Sequence, residues 1–374
     1  MGTKKRMSFI AVLLLAFAFL VVGCSSQNES GGDAKPPSTG EAKQPAAEKK
    51  APEKSPMELA EEFYKDKTIN FIISFPTGGG YDSQSRLMAP YLEKYLPGTK
   101  VAVENIDGGS GLTGTNRIWE AKPDGLTFGV TGGGGIATWP LVDDPAVKFD
   151  TRKLTYFGSL FGEERILSVR NGVGINNVED FLNYDKELKQ AFKAKGGANY
   201  ITSVLMWSML PTKKPIKGIF GYRKSSEQML ALERGEVDLY LGSGPNTIPM
   251  VKDGKVTPVV AIAEHPGELP DDVTNLWNKE ERSVVPEEGI PYMKAVIGIV
   301  GAGRPYVGPP GIPEERVKFI EEALQKVAKD PDFREKAAKM GSVVSGMKGA
   351  ATKQSVMDVL DSPENVKKLI KESN

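Results

Sequence analysis

The chain has 374 residues, enough for one large domain or two of ordinary size. It carries 48 basic and 48 acidic residues, and loss of residues 1–23, which hold three of the basic ones, leaves 45 against 48. No basic excess is available to neutralise a phosphate backbone, so the charge balance argues against nucleic-acid binding. The slight negative charge also predicts little long-range attraction of an anion.

Histidine and cysteine occur once each, as His265 and Cys24. One cysteine cannot form a disulfide within the chain, and one residue of each kind cannot build a zinc cluster. His265 lies in a polar stretch typical of a loop, which favours a solvated side chain over a member of a catalytic triad. The composition therefore favours a binding protein over an enzyme and predicts no cofactor and no metal.

The first 23 residues predict a signal peptide. A positive start at Lys4, Lys5 and Arg6 is followed by an apolar run, residues 10–22, that is short for a membrane-spanning helix. The run ends at Cys24 in a pattern that resembles a bacterial lipobox, in which the cysteine is acylated after cleavage in front of it. We expect Cys24 to carry the lipid; an ordinary secretory signal with an incidental cysteine is the alternative.

The segment after Cys24 predicts a flexible tether, assigned to residues 24–66. Residues 25–56 contain no Val, Ile, Leu, Met, Phe, Trp or Tyr and cannot bury enough surface to offset the entropy of ordering. A flexible chain of this length spans roughly 30 Å on average. The tether would hold a folded body off a membrane.

Apolar strand-like and amphipathic helical segments alternate from residue 69 onward. Nearly continuous apolar runs are typical of strands buried on both faces, and stripes at helical spacing are typical of helices packed on a sheet. Predicted strands cover residues 69–75, 101–103, 126–131, 156–161, 166–169, 238–241 and 256–263; predicted helices cover 116–121, 227–233, 314–328 and a segment capped by Asp82 and ending at Tyr95, in which Pro90 should cause a kink or a split. This alternation predicts two α/β domains with mostly parallel sheets.

A glycine-rich turn, residues 76–82, joins the first predicted strand to the first helix. Glycines let a backbone approach a ligand closely, and a helix start offers free N–H groups, so the turn could bind an anion or could simply be a tight connection. Asp82 and Arg86 could form an intrahelical ion pair, or Asp82 could stand at the lip of a pocket. We expect a positive φ at Gly79, so that valine there would be strained as well as obstructive.

The stretch Gly109–Gly114 matches the GxGxxG pattern of dinucleotide sites. Such a site needs an acidic residue about twenty positions later, and position 134 is a glycine with glycine neighbours. The pattern is therefore interpreted as a chance match.

Several segments in order resemble one known family. Residues 75–82, followed by Ser85 and Arg86, resemble the "PFPPGGGTD…AR" opening of tripartite tricarboxylate transporter substrate-binding proteins. Residues 103–105 resemble that family's "VEN", residues 123–127 its "PDGYT", and residues 222–238 its "YKG…GQVD". Residues 252–255 and 308–313 fit its "KAGK" and "APAGTP". The likeness extends from about Ile69 to Gly341.

The resemblance implies a periplasmic-binding-protein-like clamshell. Each domain would be a mostly parallel sheet flanked by helices, with domain 1 formed by residues 67–162 and 264–374 and domain 2 by residues 163–263. A two-strand hinge would cross near residues 161–165 and 261–264. A carboxylate would lie between the domains, held largely by loop backbone, and no metal or cofactor is implied.

The family's binding segments correspond to residues in both predicted domains. The first set follows predicted strands of domain 1, and the second includes Thr202 and Ser203, expected at a helix start. Bulkier residues than the family's, Tyr200, Ile201 and Lys224, leave the identity of the ligand open. The candidate ligand-binding residues are Thr77, Gly78, Gly79, Gly80, Tyr81, Asp82, Thr131, Gly132, Gly133, Thr202, Ser203, Tyr222, Arg223 and Ser243.

The resemblance implies an extracytoplasmic, lipid-anchored solute-binding protein. It would capture a di- or tricarboxylate or an aromatic acid as a monomer and deliver it to integral membrane permease subunits. A receptor that reports the ligand to a sensor kinase is the first alternative, and an exported enzyme is the second. Neighbouring genes for permease subunits or for a histidine kinase would separate transport from sensing, and turnover of a carboxylate would reveal an enzyme.

Overall fold

The computed structural model describes residues 54–264 and 269–373. The predicted signal peptide, Cys24, most of the predicted tether and His265 lie outside the described residues. No helix within these two ranges is long and apolar enough to cross a membrane.

The described residues form twelve strands and thirteen α-helices. The strands are β1 Thr68–Ile73, β2 Lys100–Asn105, β3 Thr127–Val130, β4 Thr155–Phe161, β5 Arg165–Arg170, β6 Leu188–Phe192, β7 Ile216–Phe220, β8 Leu239–Gly242, β9 Val256–Ile262, β10 Thr274–Asn275, β11 Tyr306–Gly308 and β12 Val344–Met347. The helices are α1 Pro56–Tyr64, α2 Gly80–Tyr95, α3 Leu112–Trp119, α4 Gly133–Thr138, α5 Val178–Asn183, α6 Ala198–Met209, α7 Ser225–Glu233, α8 Gly244–Lys252, α9 Ile290–Ala302, α10 Glu314–Lys329, α11 Pro331–Lys339, α12 Gly349–Leu360 and α13 Glu364–Glu372.

The strands form two sheets of six. The first has the order β12-β4-β11-β3-β1-β2, and the second has the order β10-β9-β5-β8-β6-β7. In the first sheet β1 is parallel to β2 and β3, while β11 and β12 pair antiparallel to their neighbours. In the second sheet β6 is parallel to β7 and β8, and β5 is antiparallel to β8 and β9. Both sheets are therefore mixed, but four strands of the first sheet and five of the second run in the same direction, which confirms the expectation of mostly parallel sheets.

The chain passes between the sheets twice. The first passage, from β4 to β5, lies at residues 161–165, where it was expected. The second was expected near residues 261–264, but Ala261 and Ile262 belong to β9 and the chain stays in the second sheet through β10. The return to the first sheet lies between Asn275 and Tyr306 and includes α9. The exact domain boundaries stay a prediction.

Two elements near the start of the folded body differ from the sequence prediction. Residues 56–64 were assigned to the tether but form α1, which packs on α10: Tyr64 is buried and its ring stacks on Phe319 at 5.6 Å. Helix α2 is continuous through Pro90 and is not split there. Packing of the apolar face of α2 on the sheet outweighs the one backbone hydrogen bond that proline cannot make.

Buried apolar side chains explain the central strands. Ile69, Phe71 and Ile73 of β1 are fully buried, as expected for a strand covered on both faces. On α10 the stripe at Ile320, Leu324 and Val327 is buried against the first sheet, and burying each such side chain stabilises the fold by about 1.5–3 kcal/mol. The core thus fixes the strand ends from which the connecting turns and helices start.

Candidate functional site

Four helices begin at the carboxyl ends of parallel strands. Helices α2 and α4 follow the neighbouring strands β1 and β3, and α6 and α8 follow the neighbouring strands β6 and β8. The starts of α4 and α6 touch, since a Cβ on Gly134 would lie 3.5 Å from the Cβ of Ala198. The carboxyl edges of the two sheets therefore meet, which is where α/β folds bind ligands.

The carboxylate of Asp82 fixes the turn before α2 by accepting hydrogen bonds. Its Oδ2 accepts a hydrogen bond from the Gly78 N–H at 2.9 Å, and its Oδ1 accepts from Arg86 Nε at 2.8 Å and from Asn105 at 3.0 Å. Burial raises the pKa of Asp82, but the three hydrogen bonds together hold it below its usual range. Asp82 lies in the first turn of α2, not at its N-cap, and both oxygens are engaged. The ion-pair interpretation of Asp82 therefore fits better than the pocket-lip interpretation.

The positive φ in this turn is at Gly78, not at Gly79 as expected. Gly78 has a φ of +81°, whereas Gly79 is the N-cap of α2 with extended angles of −87° and 173°. A Cβ on Gly79 would meet only the Pro76 carbonyl oxygen, at 3.6 Å. Thr77 to Gly80 are exposed, and the first-turn N–H groups of α2 have no acceptor within the helix. The turn therefore directs free backbone N–H groups toward open space.

Tyr81 joins the starts of α2 and α4. Its ring stacks on Phe75 with a centroid distance of 3.9 Å, and its hydroxyl would lie 3.5 Å from a Cβ on Gly132. Thr131 is fully buried and its hydroxyl bonds that of Thr115 at 2.6 Å. The Gly133 N–H donates to the Gly303 carbonyl at 3.1 Å. Thr131 and Gly133 therefore have structural partners and support the site from behind.

A charged cluster that the sequence reasoning missed lies beside this turn. Glu163 accepts a hydrogen bond from Arg165 at 2.8 Å, and its Oε1 lies 3.5 Å from both Arg304 Nε and the Tyr81 hydroxyl. Arg304 covers the Tyr81 ring at 4.4 Å and donates to Gln84 at 2.8 Å. Burial and the nearby Glu163 carboxylate raise the pKa of Tyr81, so it stays protonated.

Arg304 is placed to meet an anion at the start of α2. Its Nη1 would lie 3.0 Å from a Cβ on Gly80, and its Nε is buried without a hydrogen-bond partner among the described residues. That Nε faces the Glu163 carboxylate at 3.5 Å, and the positive guanidinium beside free backbone donors favours a bound anion. A sequence signal did exist: Glu163, Glu164 and Arg165 are three charged residues between two apolar strands.

The start of α8 already holds a carboxylate of the protein. The Gly244 N–H donates to Glu164, whose Oε2 would lie only 2.0 Å from a Cβ on Gly244. Burial raises the pKa of Glu164, against the opposing effects of this hydrogen bond and of Arg165. Ser243 is the N-cap of α8 but its side chain makes no capping bond. Of α6 and α8, α6 is the helix whose start holds no carboxylate of the protein and is free to receive a ligand.

The prediction that Thr202 and Ser203 stand at a helix start is wrong. Helix α6 begins at Ala198, four residues earlier, with Gly197 as N-cap. The hydroxyl of Thr202 donates back to the Ala198 carbonyl at 2.7 Å, and that of Ser203 accepts from Gln190 at 2.9 Å. Both are buried, as are Ile201, Leu205 and Met206 of the same helix, which packs mainly against α9. The free donors are the N–H groups of the first turn, residues 198–200.

Tyr222 and Arg223 lie at the carboxyl end of β7. The Tyr222 N–H donates to the Phe192 carbonyl at 3.2 Å, and partial burial raises the pKa of its hydroxyl. Arg223 is exposed, and its backbone N–H donates to Glu227 at 2.7 Å. The structure thus places both on the rim of the second sheet and shows no contact between Arg223 and the charged cluster.

Two other features bear on what could bind. Across residues 54–264 and 269–373, no group of three or more acidic, histidine or cysteine side chains could hold a metal ion. A cavity of about 530 Å³ lies at the far end of α4, with Trp139, Phe149, Arg152 and Lys367 in its wall. Its Arg152 is paired with Asp361 at 2.5 Å, so that cation is already neutralised.

Comparisons with known proteins agree on one family. A family model described as the tripartite tricarboxylate transporter family receptor matches residues 85–374. The match begins inside α2 and so does not include Thr77 to Asp82. No protein with curated function is significantly similar in sequence.

Solved structures share the fold at low sequence identity. A TctC solute-binding protein from Polaromonas, without ligand, is 18% identical with a TM-score of 0.65, over 83% of this chain and 99% of that one. A protein of R. palustris with adipate is 20% identical with a TM-score of 0.59, over 81% and 97%. MatC from Rhodopseudomonas palustris with bound malate is 21% identical with a TM-score of 0.54, over 81% and 99%. They confirm the expected periplasmic-binding-protein-like fold with two α/β halves.

Proposed function

The chain belongs to the tripartite tricarboxylate transporter receptor family, and from that premise we propose that it captures a small organic carboxylate outside the cytoplasm and delivers it to membrane permease subunits. The observation that carries the proposal is the placement of two helix starts with free N–H groups, one from each sheet, against the same helix α4. Tyr81 at the start of α2 lies against Gly132, and Gly134 in α4 lies against Ala198 at the start of α6. Helix α4 thus connects the two sets of donors.

Helix starts suit a carboxylate for two reasons. The N–H groups of the first turn have no intrahelical acceptor, and the aligned peptide dipoles place partial positive charge at the same point. Each charge-assisted hydrogen bond from an N–H to a carboxylate is about twice as strong as a neutral one. Arg304 adds a formal positive charge beside Gly80. A ligand with two carboxylates could be held at α2 and α6 together.

The solved relatives support the ligand class. One binds malate and another binds adipate, and both ligands are short dicarboxylates. We propose the same chemical class here, with Thr77, residues 79–81 and residues 198–200 as the backbone donors, since the Gly78 N–H is already donated to Asp82. Asp82, Thr131, Thr202 and Ser203 are assigned supporting positions behind the ligand, because their polar atoms bond within the protein.

Thermal unfolding with a set of carboxylates tests this function. A ligand present at a hundred times its Kd stabilises the folded protein by about 2.7 kcal/mol, which corresponds to a rise in Tm of several degrees. We expect this shift with at least one of malate, adipate, succinate, citrate and benzoate. The uncharged amides of the same acids are matched controls and should give no shift. No shift with any of the acids, or equal shifts with the amides, contradicts the proposal.

We also propose that Cys24 anchors the protein to the membrane through acyl chains. The lipobox-like end of the apolar run, residues 10–24, supports this assignment. Cys24→Ser should release the protein into the soluble fraction. Without acyl chains, the short apolar run of the signal peptide does not hold the protein stably in the membrane. Fractionation of cells and mass spectrometry of the N-terminal peptide measure the outcome. Membrane retention of the serine variant without an acylated peptide would reject the anchor.

A further inference from the structure

Charge is unevenly distributed along the chain. Residues 186–224 contain nine basic residues and one acidic residue, Glu187, whereas the rest of the chain holds 39 basic and 47 acidic residues. The net charge of the whole chain therefore conceals a strongly positive segment within a negative protein. This segment forms β6, α6 and β7, which lie together at one edge of the second sheet.

The fold concentrates these positive charges further. Strands β6 and β7 pair in parallel, and their register sets Lys189 directly beside Lys217. Like charges in directly opposite positions destabilise a sheet, so fold stability does not account for this arrangement. At the carboxyl ends of the two strands, the Gly221 N–H donates to the Lys193 carbonyl at 3.2 Å and holds the following loops together. Four basic residues lie in these loops: Lys193, Lys195, Arg223 and Lys224.

These four residues, called here the basic rim, are exposed and unpaired. None of them forms a side-chain ion pair within residues 54–264 and 269–373, whereas Lys94, Lys255 and Lys318 elsewhere all do. One carboxylate is close by: Glu227 accepts a hydrogen bond from the Arg223 backbone N–H. It leaves most of the positive charge of the rim uncompensated.

The basic rim lies at the same edge of the sheet as the start of α6. Lys193 and Lys195 stand between β6 and α6, within five residues of Ala198. We propose that the basic rim attracts anionic ligands and speeds their association with the cleft. The inference rests on the proposed function, since it takes the ligand to be a carboxylate. Clefts lined by one sign of charge raise association rates by about 10- to 1,000-fold in favourable cases.

The chain contains a matched control for this effect. Lys213 and Lys214 belong to the same positive segment but precede β7 and stand at the amino end of the sheet. Six residues, mostly in the extended strand β7, separate Lys214 from Gly221, a distance of roughly 20 Å. The Debye length is about 8 Å at 0.15 M salt, so charges at the amino end contribute little at the cleft. Replacing two lysines with glutamine at either end changes the net charge equally.

Nuclear magnetic resonance with charged nitroxides tests the rim without a known ligand. The probes are the anion 3-carboxy-PROXYL and the cation 3-aminomethyl-PROXYL at 0.15 M salt. Amides of residues 193–197 and 221–224 should relax at least about threefold faster with the anion than with the cation, because the local potential is positive. Lys193→Gln with Lys195→Gln should remove most of this difference, and Lys213→Gln with Lys214→Gln should leave it. Equal relaxation by both probes in the unmodified protein overturns the proposal.

Stopped-flow binding of malate and adipate gives the kinetic consequence. The rim variant should lower the association rate constant at least about threefold with an unchanged dissociation rate, whereas the amino-end variant should change either rate by less than about 1.5-fold. Equal effects of the two variants also overturn the proposal. If neither acid binds while the nitroxide difference is present, the proposed function fails for these ligands and the anion-attracting rim stands.

Discussion

Replacing Gly79 with valine is expected to abolish carboxylate binding while leaving the fold intact. Gly79 already has extended backbone angles that valine adopts, and a Cβ there would meet only the Pro76 carbonyl at 3.6 Å. The new methyl groups would occupy the open space in which the ligand must approach the first turn of α2. Calorimetry should show a loss of affinity of at least about 100-fold, and the Tm should fall by only a few degrees, as for a poorer N-cap.

Graded and strained substitutions provide the controls for this result. Gly79→Ala adds one methyl group and should weaken binding less than valine does. Gly78→Val alters a residue with a φ of +81° and should lower stability as well as affinity, because a branched residue is strained there. Normal binding by Gly79→Val would show that the ligand does not lie against the start of α2.

Replacing Arg304 with alanine is expected to weaken carboxylate binding at least about 30-fold, which is about 2 kcal/mol. Its guanidinium lies beside Gly80 and covers the Tyr81 ring at 4.4 Å. Calorimetry with the same acids measures the effect. Arg304→Lys should recover part of the affinity, since it keeps the charge but not the two-pronged geometry.

A double variant distinguishes direct contact between Arg304 and the ligand from a role of Arg304 in compensating the charge of Glu163. Arg304 also lies 3.5 Å from Glu163, so its loss leaves that carboxylate with Arg165 as its remaining partner in the cluster. If Arg304 binds the ligand, Arg304→Ala combined with Glu163→Gln should bind as weakly as the single variant. Recovery of near-normal affinity in the double variant would show that Arg304 only compensates Glu163.

Among the elements that position the site, local patterns predicted β1, β3, β8 and α2 but not β6, α4 or α8. Strand β1 was predicted from its continuous apolar run, and α10 from its stripe, because burial of these side chains dominates their energetics. The predictions failed where tertiary packing decides. The apolar residues of α1 are sparse in sequence and become a helix through packing on α10. Helix α6 begins at Ala198 rather than near Thr202, since Gly197 provides a cap that needs no side chain.

The candidate site likewise contains residues that could be predicted from local sequence and residues that could not. The glycine-rich turn before α2 could be predicted from its position between a continuous apolar run and a helical segment, and the structure places it there. The cluster of Glu163, Arg165 and Arg304 could not, because its members are up to 141 positions apart and meet only when the two sheets assemble. The uneven charge was present in the sequence, but its effect depends on the pairing of β6 with β7, which places two distant loops together.

A crystal structure of the protein with the carboxylate that raises its Tm tests the central claim most directly. The account predicts a carboxylate oxygen about 3 Å from the N–H of Gly80 or Tyr81, with Arg304 within hydrogen-bond distance of the same ligand. A ligand bound in the cavity lined by Trp139 and Phe149, or in the cleft without any backbone N–H of α2 in contact, would contradict it.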